Sequence, residues 1–177
     1  FTSCCPAWIR FAEDKYPELL DNISTCKSPM QMLAATIKNT YKGDKKHVHV
    51  AIMPCSAKKD EARREKFNGD VDFVLSTQEV VRMIREHGIH FKYLEESQPD
   101  NPFGEHTGAS VIFGASGGVM EAALRTAVET ITGLSMPNVE YTAVRGMEGV
   151  KEAEYDVNGL KVKVAVVDTG IDTDHPE

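Results

Sequence analysis

The feature that most constrains this chain is an alternation of strand-type and helix-type segments. HVHVAIM at 47–53 alternates in polarity and is rich in valine and isoleucine, so it reads as a strand. The charged stretch KKDEARREK at 58–66 follows and reads as helical, and VDFVLS at 71–76 is a second strand. Ser76 with Glu79 forms a capping-box signature for the helix QEVVRMIREH, which Gly88 closes. Later, VIFGASGG leads into the helix VMEAALRTAVETI, with Gly133 at its end. VEYTAVRG reads as another strand, and EAEYDV and LKVKVAVV flank Asn158-Gly159, a pair suited to a type I′ hairpin turn. Strands in alternation with helices predict an α/β architecture, with parallel or mixed sheets flanked by helices.

The N-terminal part is helical. Pro6 suits a first helical turn, and an apolar stripe from Trp8 to Leu20 follows, with Pro17 placed to bend or break it. Ser28-Pro29 repeats the cap-then-proline signal and opens a second helix, MQMLAATIKNT. HFKYL at 90–94 fits a short strand or an extended loop, and residues 95–110 form a long polar loop. A length of 177 residues suits one domain or a large piece of one. The formal charge of −7 argues against general nucleic-acid binding. No apolar run approaches the roughly 20 residues needed to span a bilayer, and no secretory leader is visible. The four cysteines, Cys4, Cys5, Cys26 and Cys55, are too few and too widely spaced for a disulfide framework, so they read as reduced thiols of a cytoplasmic protein.

The adjacent thiols of Cys4 and Cys5 stand just before a helix N-terminus, where the dipole and free N–H groups favour the thiolate. A ring closed between neighbouring cysteines is strained, so the pair reads as two thiols with two jobs, or as small residues filling a turn. Cys55 falls at the C-terminal end of a strand, where α/β proteins place their sites, with Lys58 and Glu61 following it. That lysine could hold an anionic ligand or be solvated surface. Ser24 could carry a proton or serve a turn, and Cys26 reads as structural. Ser116-Gly117-Gly118 could bind an anion at a helix start or reflect close backbone packing. His47 and His49 share one strand face, and His87 falls in the last turn of a helix, where a cation is favoured.

Several motifs together resemble the [FeFe]-hydrogenases: TSCCPAW (2–8), MPCSAKKDE (53–61), FGASGGVMEAALR (113–125), SPMQ (28–31), the loop ending GEHTGAS, and VRGMEGVKEAE. The resemblance covers residues 1–167, and its fold implication is an iron-only hydrogenase-like domain that is incomplete. It implies reversible reduction of protons to H₂ at an H-cluster, a 4Fe–4S cubane joined to a di-iron unit with CO, cyanide and dithiolate ligands. By this resemblance Cys4 is the proton-relay thiol and Ser24 the relay serine beyond it. Cys5 and Cys55 bind the cubane, and Lys58 holds a cyanide by a charge-assisted hydrogen bond. Met53, Pro54, Ser28 and Phe113 line the di-iron pocket. Thiolate ligation suits iron–sulfur clusters. The implied partners are ferredoxin or upstream iron–sulfur domains, together with maturation proteins.

The sequence departs from the family pattern in two respects. A third signature, which would supply two further cubane cysteines, is absent, and so are the relay glutamates expected upstream of TSCCP. The chain therefore reads as an internal fragment, inactive alone. Residues 168–177 form a divergent tail, and VAVVDTGIDTDHPE is similar to the aspartate motif of subtilisin-like proteases, with Asp168 in the catalytic position. The competing reading for the whole chain is a hydrogenase-like iron–sulfur assembly or redox-sensing protein without H₂ chemistry.

Overall fold

The computed structural model describes residues 1–177 except 68, 102, 105–107, 114–117, 136–140, 148 and 168–177. The expected tail at 168–177, with Asp168, lies outside the described residues, as do Ser116 and Gly117. The chain divides into two compact units, Phe1–Gln98 and Pro99–Glu177.

In the first unit, helix α1 (Pro6–Lys15) starts where the sequence places it. Cys5 is its N-cap, and the Cys5 Sγ accepts the Trp8 N–H at 3.4 Å. Pro6 occupies the first turn, where a missing N–H leaves nothing unpaired. The helix stops before Pro17, which cannot supply the next N–H, and Pro17–Asn22 forms a 3₁₀ turn instead. Helix α2 (Pro29–Thr40) follows the Ser28 cap, whose Oγ accepts the Gln31 N–H at 3.4 Å.

Strand β1 (Val50–Met53), helix α3 (Ala57–Ala62) and strand β2 (Phe73–Ser76) form a parallel crossover unit, with Val50 opposite Phe73 and Ile52 opposite Leu75. Both strands are shorter than their sequence patterns. The His49 carbonyl accepts from the Asp72 and Phe73 N–H groups, and the Asp72 carboxylate accepts the His49 N–H, so a side-chain contact across the crossover ends the regular ladder there. Helix α4 (Thr77–Glu86) opens with the expected capping box, in which Ser76 Oγ accepts from the Glu79 N–H at 3.2 Å and Glu79 Oε2 accepts from the Ser76 N–H at 2.7 Å. The segment at 90–94 is neither strand nor extended loop. Phe91–Tyr93 is a 3₁₀ turn, closed by the Tyr93 N–H on the His90 carbonyl.

In the second unit, helix α5 (Gly108–Ile112) precedes helix α6 (Gly118–Thr132), which packs on an antiparallel sheet of β3 (Thr142–Ala143), β4 (Val150–Val157) and β5 (Leu160–Val167). A Cβ on Gly118 would fall 1.6 Å from the Ile112 carbonyl oxygen, so this glycine serves close backbone packing. The hairpin turn is as expected: Asn158 and Gly159 have φ of 54° and 85°, and the Gly159 N–H donates to Asp156 Oδ1 at 2.7 Å. Strand β4 alternates with period two. Ala153 and Tyr155 are buried, while Glu152 and Glu154 point outward and pair with Lys163 and Lys161. The observed architecture is thus mixed α/β, one small sheet parallel and one antiparallel.

Candidate functional site

The site assembles in the first unit, where the TSCCP and PCSAK motifs meet. Cys5 caps α1, and Cys55 lies between the end of β1 and the start of α3. Helices α1 and α3 pack against each other. Lys58 ties the two motifs together. Its Nζ donates to the Cys4 main-chain carbonyl at 2.8 Å and to Glu61 Oε2 at 2.8 Å. Lys58 is only 6% exposed and Glu61 4%. A buried charge needs a partner and its hydrogen bonds, and each side chain here supplies the other's. An ammonium has three N–H groups. These two acceptors use two of them.

Ser24, Ser28 and Glu61 line one cavity of about 420 Å³, whose wall also includes Ser3, Pro6 and Ile9. Ser24 Oγ accepts the Cys26 N–H at 3.2 Å, an i to i+2 turn contact that leaves its own O–H hydrogen uncommitted among the described residues. Ser28 is 1% exposed.

Residues 1–173 match the family described as iron only hydrogenase large subunit, C-terminal domain. The chain belongs to the iron-only hydrogenases. It is 49% identical over 177 residues to the periplasmic [Fe] hydrogenase large subunit of Nitratidesulfovibrio vulgaris, covering 94% of this chain and 42% of that protein. The structure resembles apo [FeFe]-hydrogenase HydA1 of Chlamydomonas reinhardtii with a TM-score of 0.71 at 44% identity, over 88% of this chain and 41% of that one. Cytosolic iron-sulfur assembly component 3 of Bos taurus stands further off, at 32% identity over 83% of this chain and 34% of that protein. The chain spans less than half the length of the curated hydrogenases it matches.

All four cysteines are free thiols, Cys5 and Cys26 exposed, Cys4 and Cys55 half-buried. Met53 is half-buried at the end of β1, and Pro54 beside it is exposed. Phe113 belongs to the second unit and is 41% exposed. Iron–sulfur cubanes take thiolate ligands, and the free thiols of Cys5 and Cys55 have that donor chemistry. Among the described residues, no three or more His, Cys, Asp or Glu side chains converge on a metal-sized position. His49 Nδ1 lies 2.7 Å from the Asp70 carbonyl, and His87 Nδ1 lies 2.9 Å from the Met83 carbonyl at the end of α4. A carbonyl only accepts, so both Nδ1 atoms carry the proton. No described helix is long and apolar enough to cross a membrane.

One buried residue, inside the SPMQ segment, had no role assigned from the sequence. Gln31 is fully buried, and its amide nitrogen and oxygen have no hydrogen-bond partner among the described residues. Ser28 and Gln31 are the largest fully buried side chains described, so the interior beside the α2 cap is polar. The available signal was the i, i+3 spacing of Ser28, Gln31 and Ala34, which places all three on one buried face.

Proposed function

We propose that this chain forms part of the catalytic domain of an [FeFe]-hydrogenase that interconverts two protons and two electrons with H₂, taking electrons from ferredoxin in the cytoplasm. The observation that carries this reading is the Lys58 junction. One buried ammonium joins the carbonyl of Cys4 to Glu61 and so brings the two cysteine motifs to one place.

The H-cluster supplies the redox chemistry when bound. Cys5 and Cys55 would hold its cubane as thiolates. Lys58 keeps one N–H beyond its two protein acceptors, and that N–H would be available to hold an anionic cyanide ligand of the cluster. Burial sharpens this contact, because little water competes for the ammonium. The Cys4 Sγ moves protons, and Ser24 extends the relay, its O–H free to donate while Oγ accepts from Cys26. Ser28, Met53 and Pro54, all in the first unit, would line the pocket. Adjacent thiols at one helix start thereby separate proton delivery at Cys4 from iron ligation at Cys5.

The test is H₂ evolution by the full-length protein, matured anaerobically and supplied with reduced ferredoxin, NADPH or viologen in parallel. Turnover with ferredoxin is expected to exceed that with NADPH. Cys4→Ala is expected to keep its iron content and lose most turnover. Full turnover in that variant would sink the relay role, and iron-replete protein with no turnover from any donor would sink the hydrogenase reading itself.

A further inference from the structure

Arg10 and Asp60 each lie five residues beyond a candidate cluster cysteine, Cys5 and Cys55 respectively. They meet as a two-pronged pair, Arg10 Nε to Asp60 Oδ2 at 2.9 Å and Nη2 to Oδ1 at 3.1 Å. Further along the same two segments, Arg64 Nη1 and Nη2 grip Glu13 Oε1 and Oε2 at 2.8 and 2.9 Å. Two longer contacts close the figure, Arg10 Nη1 to Glu13 Oε2 at 3.5 Å and Arg64 Nε to Asp60 Oδ2 at 3.8 Å. The result is a closed ring of alternating charge in which each guanidinium touches both carboxylates.

A lone exposed ion pair contributes little, because solvent screens it and two long side chains must be ordered. This ring differs in two respects. Both principal pairs are fork-on-fork, the geometry that fixes orientation as well as distance. Two forks, one from α3 and one from Arg64 just beyond its end, also resist both sliding and rotation against α1, which a single contact does not. Apolar packing leaves the task open, since the buried residues of α1 are only Pro6 and Ala12. Arg64, at the inner side of the ring, has a side chain only 14% exposed.

We propose that the Arg10–Asp60–Arg64–Glu13 ring is the positioning device that sets α1 against α3, and so holds Cys5 and Cys55 in the relative placement a shared iron–sulfur cluster requires. The inference rests on the hydrogenase reading for what the cysteines bind. The placement itself is a property of the metal-free protein, and it is tested there.

Full-length, metal-free protein is treated with dibromobimane, which fluoresces once it joins two neighbouring thiols, and the joined pair is identified by fragment mass. Arg10→Asp puts like charges against Asp60 and Glu13, and it is expected to slow Cys5–Cys55 bridging by about fivefold or more, the weight of a network pair at the upper end of the surface range. Exchanging all four charges (R10D, E13R, D60R and R64D together) restores the alternation and should recover the rate to within about twofold. Added salt should slow the unaltered protein and relieve the repulsion in Arg10→Asp, so that the two rates converge, a second test that does not need the fourfold variant to fold. Bridging at the unaltered rate in Arg10→Asp, even with a lowered melting temperature, would overturn the proposal, because the ring would then stabilise without positioning. A slowed bridge in protein that takes up no cubane iron would leave the positioning role standing and remove the hydrogenase reading instead.

Discussion

Removing the carboxylate of Glu61 tests the central junction most directly. Lys58 and Glu61 side chains are 7% and 5% exposed, so Glu61→Ala leaves an ammonium inside the protein with only the Cys4 carbonyl as acceptor. Breaking one side of a buried ion pair costs about 3–5 kcal/mol. The surviving 2.8 Å bond to the carbonyl places the expected loss near the lower bound, about 3 kcal/mol. Glu61→Gln keeps a neutral acceptor at the same length and should lose less, about 1–2 kcal/mol. The double variant Lys58→Met, Glu61→Leu removes both charges and should stand within about 1 kcal/mol of the unaltered protein, because apolar replacement of a buried pair is often neutral. The assay is hydrogen exchange of the α3 amides in the full-length, metal-free protein, where about 1.4 kcal/mol reads as a tenfold change in protection. Glu61→Ala should therefore lose roughly a hundredfold in protection. A loss under tenfold would refute the reasoning, since it would mean that water reaches Lys58 and solvates it without its partner. The double variant carries the functional half of the test: protection near normal, but H₂ turnover largely lost with the lysine.

Gly118→Ala places a methyl 1.6 Å from a main-chain oxygen, which cannot rotate away, so a loss of about 1–3 kcal/mol and a lower melting midpoint by circular dichroism are expected. An unchanged midpoint would mean that the start of α6 shifts freely. Glu79 has its pKa lowered to about 2, first by the Lys59 ammonium and then by the Ser76 N–H. Its stabilising contribution to the α4 start is then complete above about pH 4.5, the ordinary value, and fades as pH falls toward about 2. Exchange at the first α4 amides should accelerate across that window beyond the intrinsic pH effect, and Glu79→Gln should abolish the extra acceleration; equal behaviour of the two proteins would refute the assignment. Ser28→Ala removes the α2 cap and should lower stability by about 1 kcal/mol, read by urea unfolding.

Local signals written in adjacent residues were legible in the sequence. The proline at the start of each N-terminal helix, the Ser76–Glu79 box and the Asn158-Gly159 turn each act within four residues, and each stands where the chain's own chemistry puts it. Strand lengths were less legible, because the ends of β1 and β2 are decided by His49 and Asp72 pairing across the crossover rather than by valine content. Phe91–Tyr93 misled because an aromatic-rich pentapeptide carries β propensity, whereas a single Tyr93 to His90 bond folds it into a turn. At the site, the cysteine motifs were visible as motifs. Their meeting was not, since it depends on a side chain reaching across 54 positions to a main-chain carbonyl, and a carbonyl has no sequence signature.

The same fact explains why charge dominates this part of the molecule. Among the described residues of the first unit the buried apolar ones are Pro6, Ala12, Ala34, Phe67 and Val71, a small set with two alanines. Alongside them Ser28, Gln31, Lys58, Glu61 and Asp70 are equally buried. Asp70 is served by Lys27 and Lys38, and Lys58 by Glu61 and the Cys4 carbonyl, so Asp70 and Lys58 tie separate segments together. Apolar packing of small side chains is non-directional and tolerates sliding, whereas a hydrogen-bonded charge fixes a position to a few tenths of an ångström. Under the proposed function, a pocket presenting two thiols and an ammonium to one ligand needs the second kind of restraint. The polar interior is therefore tied to the site's geometry, and a variant that exchanges it for leucine should gain cohesion while losing placement.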